Sequence, residues 1–164
     1  MTETATASSL HIRPATEADI PRLVRMVNAA FSIETFLEGT RTDAESLAAT
    51  MAKGKVLVAE DAEGQALGSI YVEVRGERGY MGMLAVDPAR QGQGLGGLLV
   101  GKAEEILRHA GCQAVDICVL SLRPELLPLY RRFGFQESGT EEFNHGRSFR
   151  EPVECHMVVM SKVL

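Results

Sequence analysis

Apolar and polar side chains alternate through Leu10-His11-Ile12-Arg13, the pattern of a strand with one covered face. After Thr16-Glu17-Ala18-Asp19 the period lengthens. Ile20, Leu23, Val24, Val27, Ala30 and Phe31 recur at three- and four-residue steps, which predicts an amphipathic helix. Residues 32–41 form a connection with apolar anchors at Phe36 and Leu37. Thr42-Asp43-Ala44-Glu45 has the spacing of a capping box, so a second helix is predicted to run to about Lys53. Three strands follow, at Lys55–Glu60, Ala66–Arg75 and Gly79–Val86, joined by the polar turns 61–64 and 76–79. Short turns of this kind make neighbouring strands antiparallel.

Helical periodicity returns at Leu95, Leu98, Leu99, Ala103, Ile106, Leu107 and Ala110, and Gly111 stops it. The β-branched run Ala114–Leu120 comes after this strand–helix pair, so it is expected parallel to the strand ending at Val86, through a right-handed crossover. Arg123-Pro124 opens a further helix. Pro128 should leave its first turn irregular and its regular part near Leu129–Phe133, with Gly134 as the stop. A strand from Phe135, a polar loop over 142–152 and a last strand from Cys155 to Val163 complete the chain. The reading is one α/β domain over residues 10–164, with residues 1–9 a disordered tail.

Composition removes several classes of function. A chain of 164 residues with 45% hydrophobic and 24% charged content is long enough for one full core. Its net charge of −5 and dispersed basic residues argue against a nucleic-acid partner. No apolar run approaches the length of a membrane span, and the first residues lack the basic and apolar regions of a signal peptide. Cys112, Cys118 and Cys155 have neither disulfide-scaffold nor zinc-site spacing, which fits a reducing cytoplasm and no metal.

The chemistry concentrates between a strand and a helix. Asp87-Pro88 breaks the strand, and Gln91-Gly92-Gln93-Gly94-Leu95-Gly96-Gly97 opens the long helix. Unpaired main-chain N–H groups converge there on the positive end of the helix dipole, and glycine lets a phosphate approach them. The stretch therefore reads as a pyrophosphate cradle. Gly92, Gly94 and Gly97 also spell the dinucleotide fingerprint, but five residues, Asp87 to Gln91, separate strand from glycine. The nearest acidic candidate, Asp116, falls inside a strand, and no Gly-Lys-Ser/Thr follows to make a mononucleotide loop.

The stretch resembles the acetyl-CoA motif of the GNAT superfamily of N-acetyltransferases, Gln/Arg-x-x-Gly-x-Gly/Ala, met by Gln91, Gly94 and Gly96 after Leu-Ala-Val-Asp-Pro. Leu129-Tyr130-Arg131-Arg132-Phe133-Gly134-Phe135 resembles the family's Tyr-x-x-x-Gly-Phe segment. The order β-α-α-β-β-β-α-β-α-β-β, from Leu10 to Leu164, resembles the GNAT fold, a mixed and mostly antiparallel sheet of about seven strands with flanking helices.

The resemblance implies acetyl transfer from acetyl-CoA, as cosubstrate, to a primary amine that attacks directly in a ternary complex. It implies a cofactor site made by Gln91, Gly92, Gln93, Gly94, Leu95, Gly96 and Gly97 with the strand residues Leu84, Ala85 and Val86. It makes Tyr130 the proton donor to the leaving thiolate, the alternative being a tyrosine that anchors its helix. It leaves room for a homodimer. Where relatives often carry a glutamate, the strand 79–86 has none. Glu73 on the preceding strand is the candidate base, set against an ordinary solvated edge residue. A site without a strong base would favour amines of low pKa. Glu34 and Glu38 are candidates for a cationic acceptor and Arg41 for a carboxylate. Arg123 stands where relatives have an asparagine seven residues before the tyrosine. A non-catalytic acyl-CoA-binding module is the alternative function.

Overall fold

The computed structural model describes residues 10–143 and 146–164; the tail expected over residues 1–9 lies outside the described residues. Seven strands form one sheet: β1 (His11–Pro14), β2 (Lys55–Glu60), β3 (Ala66–Arg75), β4 (Arg78–Val86), β5 (Ala114–Leu120), β6 (Gln136–Glu142) and β7 (His156–Val163). Their spatial order is β1-β2-β3-β4-β5-β7-β6. Only β4 and β5 run parallel; the other neighbouring pairs are antiparallel. The helices are α1 (Ile20–Ala30), α2 (Ala44–Lys53), α3 (Leu95–His109) and α4 (Leu126–Arg132). This is the α/β architecture expected from the GNAT-like element order.

Leu67 to Val72 of β3 are buried without interruption, because helices cover both faces of the sheet. On one face Leu95, Leu99, Ala103 and Leu107 of α3 pack on Ile70, Val72, Met81 and Val115. On the other, Leu23 and Val27 of α1 and Leu47 of α2 pack on Val56, Val58 and Tyr71. Gly79 sets how closely α3 lies on β4, since a Cβ there would stand 2.5 Å from the Leu107 side chain. The strand therefore begins at Arg78, one residue before the expected start, and Gly79 serves packing rather than the turn.

Three local expectations change. Asp43 caps α2, accepting the Ser46 amide at 2.8 Å, so the Thr42–Glu45 box does not form. Thr42 is instead held by Asn28, whose side chain accepts its N–H at 3.0 Å and donates to its carbonyl at 2.9 Å. Helix α4 runs regularly from Leu126 through Pro128, which falls in the first turn where an amide needs no partner. On α3, Leu98 is 53% exposed despite fitting the apolar period.

Candidate active site

The parallel ladder of β4 and β5 is short. It pairs Arg78 with Ala114, Gly79 with Val115 and Tyr80 with Asp116, and then stops. A bulge on β4 accompanies the separation. Ser69 faces Ala85 and Tyr71 faces Gly82, so β4 carries one residue more than β3 across that interval. Met83 takes the left-handed region, with φ 49°. The strands part into a cavity of about 730 Å³, lined by Met81–Val86 on one side and Ile117–Leu120 on the other.

One end of the cavity is the glycine turn. Asp87 accepts the Ala89 amide at 2.9 Å and stops β4, and Gln91 donates to the Val86 carbonyl at 3.3 Å. Gly92 and Gly94 sit at φ 82° and 81°, a backbone region that side chains disfavour. No side chain caps α3 at Gly94, and Leu98 N–H reaches the Gly94 carbonyl at 3.3 Å. The amides of the first turn thus face outward without helical acceptors. A Cβ on Gly92 or Gly94 would meet nothing within 4 Å, and one on Gly96 nothing nearer than 3.9 Å. The space beside this backbone is open, as an approaching phosphate requires. Gln91, Gly92, Gly94, Leu95, Gly96 and Gly97 line the cavity with Leu84, Ala85 and Val86; Gln93 is exposed and does not. Asp116, which a dinucleotide reading would need, is held by Arg78 at 2.9 and 2.6 Å and by Ser161.

Tyr130 enters the cavity from α4. Its ring stands edge-on to Phe133 and to Phe135, each with centroids 6.1 Å away. Burial pushes its phenol up to about 12. Cys118 of β5 also lines the cavity, and burial, with Glu141 nearby, pushes its thiol up to about 11. It is therefore a thiol at neutral pH and a poor covalent carrier.

Two loops that looked like plain connections wall the other end. Leu37 pairs with Phe149, Glu38 N–H donates to the Ser148 carbonyl at 2.8 Å, and Arg150 N–H donates to Phe36 at 3.0 Å. Glu34 is buried beneath them, 2.9 Å from Arg123 and 4.0 Å from Arg147. Arg123 also reaches Glu125 at 2.7 Å. Arg41 lines the same region, its guanidinium 5.3 Å from the Phe31 ring centre.

The candidate residues thus separate. Tyr130, Arg41, Glu34 and the turn converge on one cavity. Glu38 is exposed outside it and, among the described residues, makes only main-chain contacts, its carbonyl accepting from Arg147 at 3.1 Å. Glu73 does not line the cavity; its carboxylate accepts from Tyr71 and Arg75, and these bonds hold its pKa down. A carboxylate so occupied is a weak base, so the geometry does not favour the catalytic role expected of Glu73. Arg147, Tyr80 and Cys118 were missed. No local pattern marks them, because they reach the site through strand pairing and loop packing. Among the described residues no cluster of histidine, cysteine, aspartate or glutamate could hold a metal ion. Nor is any helix long and apolar enough to cross a membrane.

Comparison with known proteins agrees with this geometry. The sequence profile of the Acetyltransferase (GNAT) family matches residues 22–135. Glucosamine 6-phosphate N-acetyltransferase 1 of Oryza sativa subsp. japonica is 35% identical over 140 residues, covering 79% of this chain and 83% of that protein. Mycothiol acetyltransferase of Clavibacter michiganensis subsp. michiganensis is 33% identical over 86 residues, or 52% of this chain. The chain spans only 28% of that relative's length. In three dimensions it is similar to a Salmonella typhimurium protein solved with its cofactor acetyl-CoA: TM-score 0.70, 22% identity, 94% of each chain covered. With a family profile across most of the fold and a relative matched over most of its length, the chain belongs to the GNAT family of acetyltransferases.

Proposed function

We propose that the protein transfers an acetyl group from acetyl-CoA to a primary amine by direct attack in a ternary complex. The observation that carries this reading is the parting of β4 from β5 after Tyr80 and Asp116. It opens one cavity from the glycine turn past Tyr130 to the loops around Arg41. Acetyl-CoA supplies the activated thioester. The amides from Gln91 to Gly97 hold its pyrophosphate, and the free edge of β4 at Leu84, Ala85 and Val86 pairs with its amide-bearing arm.

Tyr130 donates a hydrogen bond to the departing thiolate. Full proton transfer from a phenol near 12 to a thiol near 8.5 is uphill by about 5 kcal/mol, so stabilisation of developing charge is its role. The raised Cys118 pKa supports direct attack over an acetylated-enzyme route. Of the carboxylates lining the cavity, Glu34 is bound by two arginines and Asp43 caps α2. With no free carboxylate among the described residues that line the cavity, most of the acceleration comes from placing a neutral amine against the thioester.

The missing base also suits a second reading, a module that binds acyl-CoA without turnover. Thiol release from acetyl-CoA across a panel of amines decides between them. Release with one class of amine establishes the transferase. Acetyl-CoA binding without release from any amine establishes the module.

A further inference from the structure

We propose that the acceptor amine carries an anionic group, a carboxylate or a phosphate, and that Arg41 binds it. The inference rests on the acetyl-transfer reading and names the substrate class of that site.

Four arginines line the cavity: Arg41, Arg90, Arg123 and Arg147. Arg90 ends the short turn before Gln91 and belongs to the cofactor end. Arg123 is held by Glu34 at 2.9 Å and Glu125 at 2.7 Å. Arg147 is tied to Glu34 at 4.0 Å and to the carbonyls of Glu38 at 3.1 Å and Gly39 at 3.3 Å. Arg41 remains. Among the described residues it has no carboxylate within 4.0 Å, and its guanidinium rests over Phe31.

Its charge is poorly solvated. Burial pulls its pKa down, Arg147 adds to this, and Glu34 and Tyr80 oppose it. Two arginines already satisfy Glu34, so little negative charge remains for Arg41. A desolvated guanidinium without an anion is costly, and an oxyanion entering the cavity would remove that cost through a two-pronged hydrogen bond. Lysine would not supply the same planar fork.

The placement fits a substrate. Tyr80, the last β4 residue paired with β5 before the strands part, lines the same cavity as Arg41. An anion held by Arg41 would thus lie in the cavity that the parting opens. The same surplus of positive charge disfavours a basic peptide tail, which brings cations to a wall already holding three arginines.

The test compares matched amines: an amino acid against its amide, and glucosamine 6-phosphate against glucosamine. Each is assayed by thiol release with wild type, Arg41→Gln and Arg41→Lys. At least one anionic member should exceed its neutral partner tenfold or more in kcat/KM, chiefly through KM. Arg41→Gln should cut that preference to within threefold at unchanged acetyl-CoA affinity and melting temperature, and Arg41→Lys should restore part of it. The favoured pair distinguishes carboxylate from phosphate. Equal use of neutral and anionic amines overturns the proposal while leaving acetyl transfer standing, as does a preference that survives in Arg41→Gln. If no amine releases thiol, the transferase reading fails, and equilibrium binding of the same pairs judges the anion site. An anionic preference lost in Arg41→Gln sustains the site, and equal binding removes it.

Discussion

Replacing Tyr130 by phenylalanine isolates one hydroxyl. The ring keeps its edge-on contacts with Phe133 and Phe135, each at 6.1 Å, so the packing of α4 is preserved. Among the described residues none hydrogen-bonds the hydroxyl, so its removal orphans no buried partner. Stability should stay within about 0.5 kcal/mol, or about 2 °C in melting temperature. Catalysis should not. A hydrogen bond to a charged group is worth about 1.5–3 kcal/mol, which converts to a loss of about 10- to 150-fold in kcat. The thiolate exists only as the thioester bond breaks, so kcat and kcat/KM should fall together while acetyl-CoA affinity is unchanged. The assay is steady-state thiol release beside a thermal melt of both proteins. The pH profile adds a second check. With its phenol at about 12, Tyr130 stays protonated throughout the working range, so the wild type should show no tyrosine-dependent fall in rate below about pH 10. A Phe variant within twofold of wild type would refute the role. So would a falling limb near pH 9 that the substitution abolishes.

Gly94→Ala places a side chain at φ 81°, costing about 1–2 kcal/mol and weakening acetyl-CoA binding by calorimetry. Gly96→Ala, whose Cβ meets no protein atom nearer than 3.9 Å, should leave folding close to wild type. Without a free carboxylate among the described residues that line the cavity, rate should track the neutral fraction of the amine. An α-amine near pKa 8 should exceed a lysine side chain by about two orders of magnitude at pH 7, its rate climbing until about pH 8; rapid lysine turnover would contradict this. Asp19 is 3% exposed and accepts from Arg13 at 2.9 Å, from Arg22 and from the Thr16 amide at 2.7 Å, which together hold its pKa far below the usual carboxylate range. Because its folded pKa is depressed, its stabilisation is present above the unfolded value near 4 and lost as pH falls below it. Asp19→Asn should therefore lower the melting temperature at pH 7 by about 6–12 °C, for a broken buried pair worth about 3 kcal/mol, and flatten the acid limb of a pH–stability profile.

Legibility in the sequence followed the range of the interactions. The turn from Gln91 to Gly97 was readable because its chemistry lies in consecutive main-chain amides, and two positive-φ glycines are written directly into the sequence. The strands β2, β3 and β5 were readable to the residue because their apolar runs are bounded by turn residues. Caps were less secure. Thr42 and Asp43 offer neighbouring oxygens, and which one caps α2 was decided by Asn28, fourteen positions earlier, seizing the Thr42 main chain. The acceptor end was hardest to read. Glu34 looked available to a cation until Arg123, 89 residues on, occupied it. Arg147 reaches the same wall because Leu37 pairs with Phe149, a contact that no periodicity encodes. Glu73 is the local counterpart. Its neighbours Tyr71 and Arg75, each two residues away on the same strand, take up its carboxylate. For Thr42 and Glu34 the side chain was in view and its partner was not, and for an ionisable group the partner decides the function. Arg41 is the informative exception, since among the described residues the fold supplies it no carboxylate partner.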